Sequence, residues 1–259
     1  MSAPRVLREV IYATPPGFRP LALDLYLPDA PHPPVVLFAH GGGWRAGSRA
    51  VFVPHVSVAD SFERIVAAGF AVASLDYRLS GEALYPAQVD DVRAALAWVR
   101  SSGERYGFDG SRVVLWGESA GATLVALVGL EPGSGVLGVV DWYGPADLLA
   151  MARGLSSEET ALTRETGWLG ASALDDPERA RAASPVFAVQ DGAPPFHIEH
   201  GTADVAVPFE QSRELADALL AHGSTVDLVA VADAGHLWGG VADTAPIFAR
   251  SLDFATALL

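Results

Sequence analysis

A serine stands between two glycines in "GESAG" (117–121), with a short apolar run before it and small residues after it. A serine hydroxyl is a weak nucleophile near neutral pH. It becomes reactive when a base lies within hydrogen-bond reach and a carboxylate orients that base. Gly117 and Gly121, two places either side of Ser119, would permit the sharp strand-to-helix turn that lifts a hydroxyl clear of the fold. With 26 glycines in 259 residues the pattern can also arise by chance, so its surroundings decide.

A carboxylate and a base follow the serine in the order such a site needs. "HIEHGTADVAVP" (197–208) puts Asp204 just beyond a β-like run, and "VAVADAGHLWG" (229–239) puts His236 beyond the next. Of the seven histidines, His236 is the one expected after Asp204 at a strand end, because His222 in "LLAHGST" closes a helix. Asp233 is too close to His236 in the chain to approach its ring from behind. Acyl transfer also needs donors for the oxyanion that develops. "FAHGGGW" (38–44) supplies glycines whose backbone N–H groups can approach a carbonyl without a Cβ in the way. Gly42, Gly43 and Ala120 are the expected donors, with His40 as a loop brace.

These residues need a scaffold that brings them to one end. "VVLFA" (35–39), "AVASLD" (71–76), "VVLW" (113–116), "GVVDW" (138–142), "FHIEH" (196–200) and "VDLVAV" (226–231) are short apolar runs of the kind buried in a parallel sheet. "LALDLYLP" (21–28) alternates, which predicts an early strand with one exposed face. Helical patterns fall between, at 57–68, 86–102, 120–130, 209–221 and 244–258. Strands alternating with helices predict one doubly wound α/β domain, with reactive groups beyond the carboxyl ends of the strands. Residues 145–185 break the alternation with helical composition and no strand, which reads as a lid insertion.

Composition narrows the rest. A net charge of −14 argues against nucleic-acid binding, and the absence of cysteine removes thiolate chemistry and disulfides. No apolar run reaches membrane-spanning length, so a soluble cytoplasmic chain without membrane partners is expected. "HIEH" offers metal-type side chains, but strand alternation would turn His197 and His200 to opposite faces, so no metal is expected. Arg78 and Glu118 read as structural. Trp44, Trp142, Tyr143, Trp168 and Trp238 lie near strand ends or the insertion. Of these, Trp44, Tyr143, Trp168 and Trp238 are the candidate substrate-binding side chains.

"HGGGW", "DYRLS", "YPAQVDDVRAALAWVR", "GESAG", "HGTADVAVP" and "AGHLW" together resemble the α/β-hydrolase serine esterases, in their hormone-sensitive-lipase-like and bacterial feruloyl-esterase-like branch. The resemblance runs from about residue 20 to the C-terminus. It implies a mostly parallel sheet flanked by helices, and Ser119, Asp204 and His236 as nucleophile, orienting acid and base. It likewise implies an oxyanion hole at Gly42, Gly43 and Ala120. No cofactor is expected, and the mixed apolar and charged composition of 145–185 predicts a small ester substrate with a short acyl or aryl group. Because 39 residues precede His40, the long N-terminal helical cap of many such enzymes is not expected. An aryl formamidase or other amidase of the same fold is the nearest alternative. A ligand-binding protein on a hydrolase scaffold is another, and such proteins typically lose a triad member.

Overall fold

The short Val- and Leu-rich runs form the middle of an eight-stranded sheet in the computed structural model, which describes residues 4–54, 56–57, 61–153 and 155–259. The strands are β1 (Arg5–Ala13), β2 (Leu21–Leu27), β3 (Val35–Ala39), β4 (Ala71–Leu75), β5 (Val113–Glu118), β6 (Gly138–Trp142), β7 (Phe196–Gly201) and β8 (Val226–Val231). Their order is β1-β2-β4-β3-β5-β6-β7-β8. The first two pairings are antiparallel and all the others parallel, so the carboxyl ends of β3 to β8 share one end of the sheet.

Alternation along the strands divides the core between two faces. Val35, Leu37 and Ala39 of β3 join one cluster with α2 (Ala87–Tyr106), α3 (Ala120–Gly129) and α9 (Glu210–Ala221). Val36 and Phe38 point into the other, with α1 (Phe62–Ala67) and α10 (Ala245–Ala257). Each buried Val, Leu or Phe contributes about 1.5–3 kcal/mol, so neither face can be uncovered. On α2, Val89, Val92, Leu96 and Val99 recur at helical spacing and face the sheet. That helix runs past residue 102 to Tyr106, where Gly107 in the left-handed region (φ 88°) stops it.

Other expectations need correction. The strand at 21–28 has no exposed face. Asp24 is buried in ion pairs with Arg8 (2.6 Å) and Arg49 (2.8 Å), and Tyr26 stacks on Phe62. β1 gives little sequence signal, because it is a bulged edge strand whose residues are mostly exposed or half-buried. The helix expected from residue 57 begins at Phe62 among the described residues, and its portion at 58–60 lies outside them.

Among the described residues, the segment between β6 and β7 folds as five short helices without a strand. They are α4 (Leu148–Ala152), α5 (Ser157–Ala161), α6 (Arg164–Leu169), α7 (Pro177–Ala182) and α8 (Pro185–Ala188). Side-chain caps start four of them, from Asp147, Ser156, Thr163 and Asp176. Gly167 lies inside α6 with open space where a Cβ would sit.

Candidate active site

β5 ends in a turn that only small neighbours allow. Ser119 has φ 51° and ψ −122°, a strained conformation for a residue with a side chain. A Cβ on Gly121 would lie 2.1 Å from the Ala39 carbonyl oxygen at the end of β3. One on Gly117 would lie 2.5 Å from the Ala122 nitrogen. The two glycines therefore answer to close packing of the elbow against its own helix and the next strand. The Ser119 N–H donates to the Trp142 carbonyl (2.8 Å), which holds the turn to β6.

From there a chain of hydrogen bonds crosses three strand ends. The Ser119 hydroxyl lies 3.0 Å from His236 Nε2, and His236 Nδ1 lies 2.6 Å from Asp204 Oδ2. In this order Nδ1–H donates to the carboxylate, leaving Nε2 to accept from the serine. The other carboxylate oxygen accepts from the N–H groups of Ala206 and Val207, both at 2.9 Å. Burial works to raise the Asp204 carboxyl. The hydrogen bonds from His200, His236 and the Val207 N–H outweigh it and hold the group well below the usual carboxylate range. His236 sits on a 3-10 turn, His236–Trp238, and is the partly exposed member of the chain at 16%.

The loop after β3 curls beside the serine. Gly42 and Gly43 have φ of 107° and 61°, and the Gly42 carbonyl accepts from the N–H groups of Arg45 and Ala46. The N–H groups of Gly42, Gly43 and Ala120 have no acceptor among the described residues. Under the loop, the Gly41 N–H donates to Glu118 Oε1 (2.5 Å). Glu118 is fully buried, and burial pushes its carboxyl up to about 8 against the effect of that N–H. His40 braces the loop from within: its ring stacks on Tyr77 and its Nδ1 donates to the Gly41 carbonyl (2.7 Å).

The four aromatics expected to line a substrate site are packed away instead. Trp44 and Trp168 stack at 4.2 Å, and Trp168 Nε1 donates to Gln88 (2.9 Å). Tyr143 sets its ring against those of His236 (4.9 Å) and Trp238 (4.8 Å). All four are at most 3% exposed, which leaves no surface for a ligand; they stiffen the walls behind the site. Trp142, on β6, donates to Ser251 and is buried as well.

A neighbouring cavity is walled by other residues. A cavity of about 550 Å³ opens between the insertion and the loops carrying Gly43 and Asp204. Leu148 and Met151 of α4, Arg45 and Arg164, and Val205 and Pro208 are among its walls. Sequence reasoning missed Arg45, Arg164 and also His200, whose Nε2 lies 3.3 Å from Asp204 Oδ2 and 2.9 Å from the Val207 carbonyl. His200 stands four residues before Asp204 on the same strand end, a spacing that was legible.

The remaining polar candidates are spoken for. His197 and His200 face opposite sides of the sheet. His197 bridges Asp227 (2.7 Å) and Glu199 (2.8 Å), while His200 bonds Ser212 (2.7 Å). Glu199 also pairs with Arg250, so "HIEH" does not converge. Among the described residues no group of three His, Asp or Glu side chains is placed to hold a metal ion. Asp233 is exposed, and its backbone N–H donates to Thr202 rather than its carboxylate meeting His236. His222 pairs with Asp191 at the surface, and Arg78 pairs with Asp91.

Known proteins resemble this chain in sequence and fold. A family model described as BD-FAE matches residues 23–219. Esterase LipC of Mycobacterium tuberculosis (strain ATCC 25618 / H37Rv) is 31% identical over 254 residues, 88% of this chain and 59% of that protein. Esterase LipQ of the same strain is 34% identical over 239 residues, 85% of this chain and 55% of that protein. The chain thus spans little more than half the length of these two relatives. Among solved structures, a truncated carbohydrate esterase from gut microbiota superposes with a TM-score of 0.85 at 28% identity, covering 99% of this chain and 96% of that one. The sheet order and helix layers are those of the α/β-hydrolase fold. Among the described residues no helix is long and apolar enough to cross a membrane.

Proposed function

The chain belongs to the BD-FAE family, and from that premise we propose that it is a serine carboxylic ester hydrolase acting through an acyl-enzyme. The observation that carries the reading is the unbroken chain from Ser119 Oγ to His236 Nε2 (3.0 Å) and from His236 Nδ1 to Asp204 (2.6 Å). The esterase names of its relatives support it.

In this mechanism His236 Nε2 takes the Ser119 proton as Oγ attacks the ester carbonyl carbon. The carbonyl electron pair moves onto oxygen, which accepts from the N–H groups of Gly42, Gly43 and Ala120. One such donor is worth about 10²–10³ in rate. The C–O bond to the alcohol then breaks, and the imidazolium returns its proton to the leaving oxygen. Water repeats the sequence on the acyl-enzyme, releasing the acid and the serine. Asp204 stays ionised throughout and stabilises the imidazolium. The chain acts as one α/β-hydrolase domain in which the 145–185 insertion covers the site. The cavity of about 550 Å³ suits a short acyl or aryl group, not a long lipid chain.

A fluorophosphonate should leave a single adduct on Ser119 by mass spectrometry, and Ser119→Ala should lower kcat by about 10⁴-fold or more. Among p-nitrophenyl esters, kcat/KM should peak between acetyl and butyryl and fall by octanoyl. An adduct on another serine would overturn the assignment. Faster cleavage of a matched N-formyl aryl amide would move the reading to an amidase.

A further inference from the structure

We infer that the cavity between the insertion and the loops after β3 and β7 is built for an ester carrying a second, anionic group, with Arg45 and Arg164 as its anchors; this rests on the ester-hydrolase reading above.

The chain's 17 basic residues are all arginine. Nearly all are engaged within the protein, in ion pairs or carbonyl contacts. Three more lie against aromatic rings. Arg45, Arg153 and Arg164 are the three whose side chains have no polar, ionic or ring partner among the described residues, and of these Arg45 and Arg164 line this cavity. A chain of net charge −14 has acids to spare for pairing surface arginines. Among the described residues Glu165 is the one acid in the cavity wall, and it bonds to neither arginine.

Position ties the pair to the chemistry. Arg45 follows the oxyanion-loop glycines by two residues. Arg164 lays its stem across that loop, since a Cβ on Gly43 would meet Arg164 Cδ at 2.4 Å. The opposite wall, Val205 to Pro208, follows directly on Asp204. A carboxylate bound by both guanidinium groups would therefore lie against the loops that carry Gly43 and Asp204. Leu148, Met151 and Leu155 provide apolar wall for a short stem between the two. Guanidinium suits this task because its planar fork matches a carboxylate with two parallel hydrogen bonds. The acidic surface elsewhere repels anions, so the cavity is a local exception that would draw one in.

The carboxylate can belong to the acid or to the alcohol half of the ester, and matched pairs of substrates separate the two. p-Nitrophenyl hemisuccinate against p-nitrophenyl butyrate probes the acid half. 4-Acetoxybenzoate against 4-acetoxyacetophenone probes the alcohol half. At low salt, one anionic member should exceed its neutral partner by about tenfold or more in kcat/KM, and added salt should shrink the ratio. In Arg45→Gln/Arg164→Gln the same ratio should fall to within about threefold of unity. Equal rates within both pairs, or a preference that survives the double variant, would overturn the anion site. Fluorophosphonate labelling of Ser119 with turnover of the neutral esters keeps the hydrolase reading standing in that event. Loss of labelling and of all four activities in the wild-type protein would overturn both.

Discussion

The loop after β7 and the elbow after β5 each bury a carboxyl near Ser119, and they hold it in opposite charge states. Asp204 receives two backbone N–H groups and the His236 ring, with His200 at 3.3 Å, and stays ionised. Glu118 receives the Gly41 N–H, its other oxygen has no hydrogen-bond partner within normal distance among the described residues, and burial outweighs the Gly41 N–H and the nearby Tyr143 hydroxyl to push its carboxyl up to about 8. Burial is the same in kind at both places. The count of donors decides the charge, and the charge decides the task. An ionised group can stabilise an imidazolium; a neutral one can only prop a loop.

Removing the charge from the first site should do the most damage. Asp204→Asn should cut kcat by about 10⁴-fold by favouring the wrong imidazole tautomer, while Asp233→Asn stays within about twofold of wild type. Steady-state kinetics on one short ester measures both, and a reversed result would assign the wrong carboxylate.

The second site should respond in stability rather than in rate. Glu118 titrates higher in the folded chain (about 8) than its ordinary 4.5, so the folded state holds the proton more tightly than the unfolded one. Its stabilising contribution is therefore complete below about pH 4.5 and is lost as the pH rises through about 8. Glu118→Gln keeps an acceptor for the Gly41 N–H and cannot ionise. Thermal melts should find it more stable than wild type at pH 9, by about 2–4 kcal/mol, and close to wild type at pH 5. A parallel loss of stability with pH in both proteins would mean that Glu118 is ionised throughout.

A smaller effect probes how Asp204 keeps its charge. His200→Gln removes the imidazole behind it, and kcat should fall by about tenfold with KM little changed, the value of one charge-assisted hydrogen bond. An unaltered kcat would reduce His200 to packing.

How much of this was legible follows the range of the interactions involved. The central strands announced themselves because Val35–Ala39 and Val113–Glu118 are buried by their immediate layers, and short apolar runs record that locally. Ser119, Asp204 and His236 could be ordered along the chain because each follows a readable strand. Asp24 was misread as facing solvent, because the partners that let it be buried, Arg8 and Arg49, lie 16 and 25 residues away. Trp168 was misread for the same reason: its place depends on Trp44, far upstream, and on Gln88. Types and spacing picked out three groups that the fold brings into one hydrogen-bonded chain. They do not say which aromatic reaches the ligand, because that is settled by long-range packing.

The open space beside Gly167 has a kinetic consequence. A glycine in the middle of a six-residue helix weakens α6, and its place in the insertion makes that helix the least costly part of the cavity wall to fray. Gly167→Ala meets nothing and should stabilise the helix by about 0.5–1 kcal/mol, a rise in Tm of about 2 °C. Acetyl esters should turn over at the wild-type rate in that variant, while bulky aryl esters slow by about twofold, because a stiffer α6 opens less often. A higher Tm with every substrate unaffected would instead make α6 a fixed wall, with entry to the serine governed elsewhere.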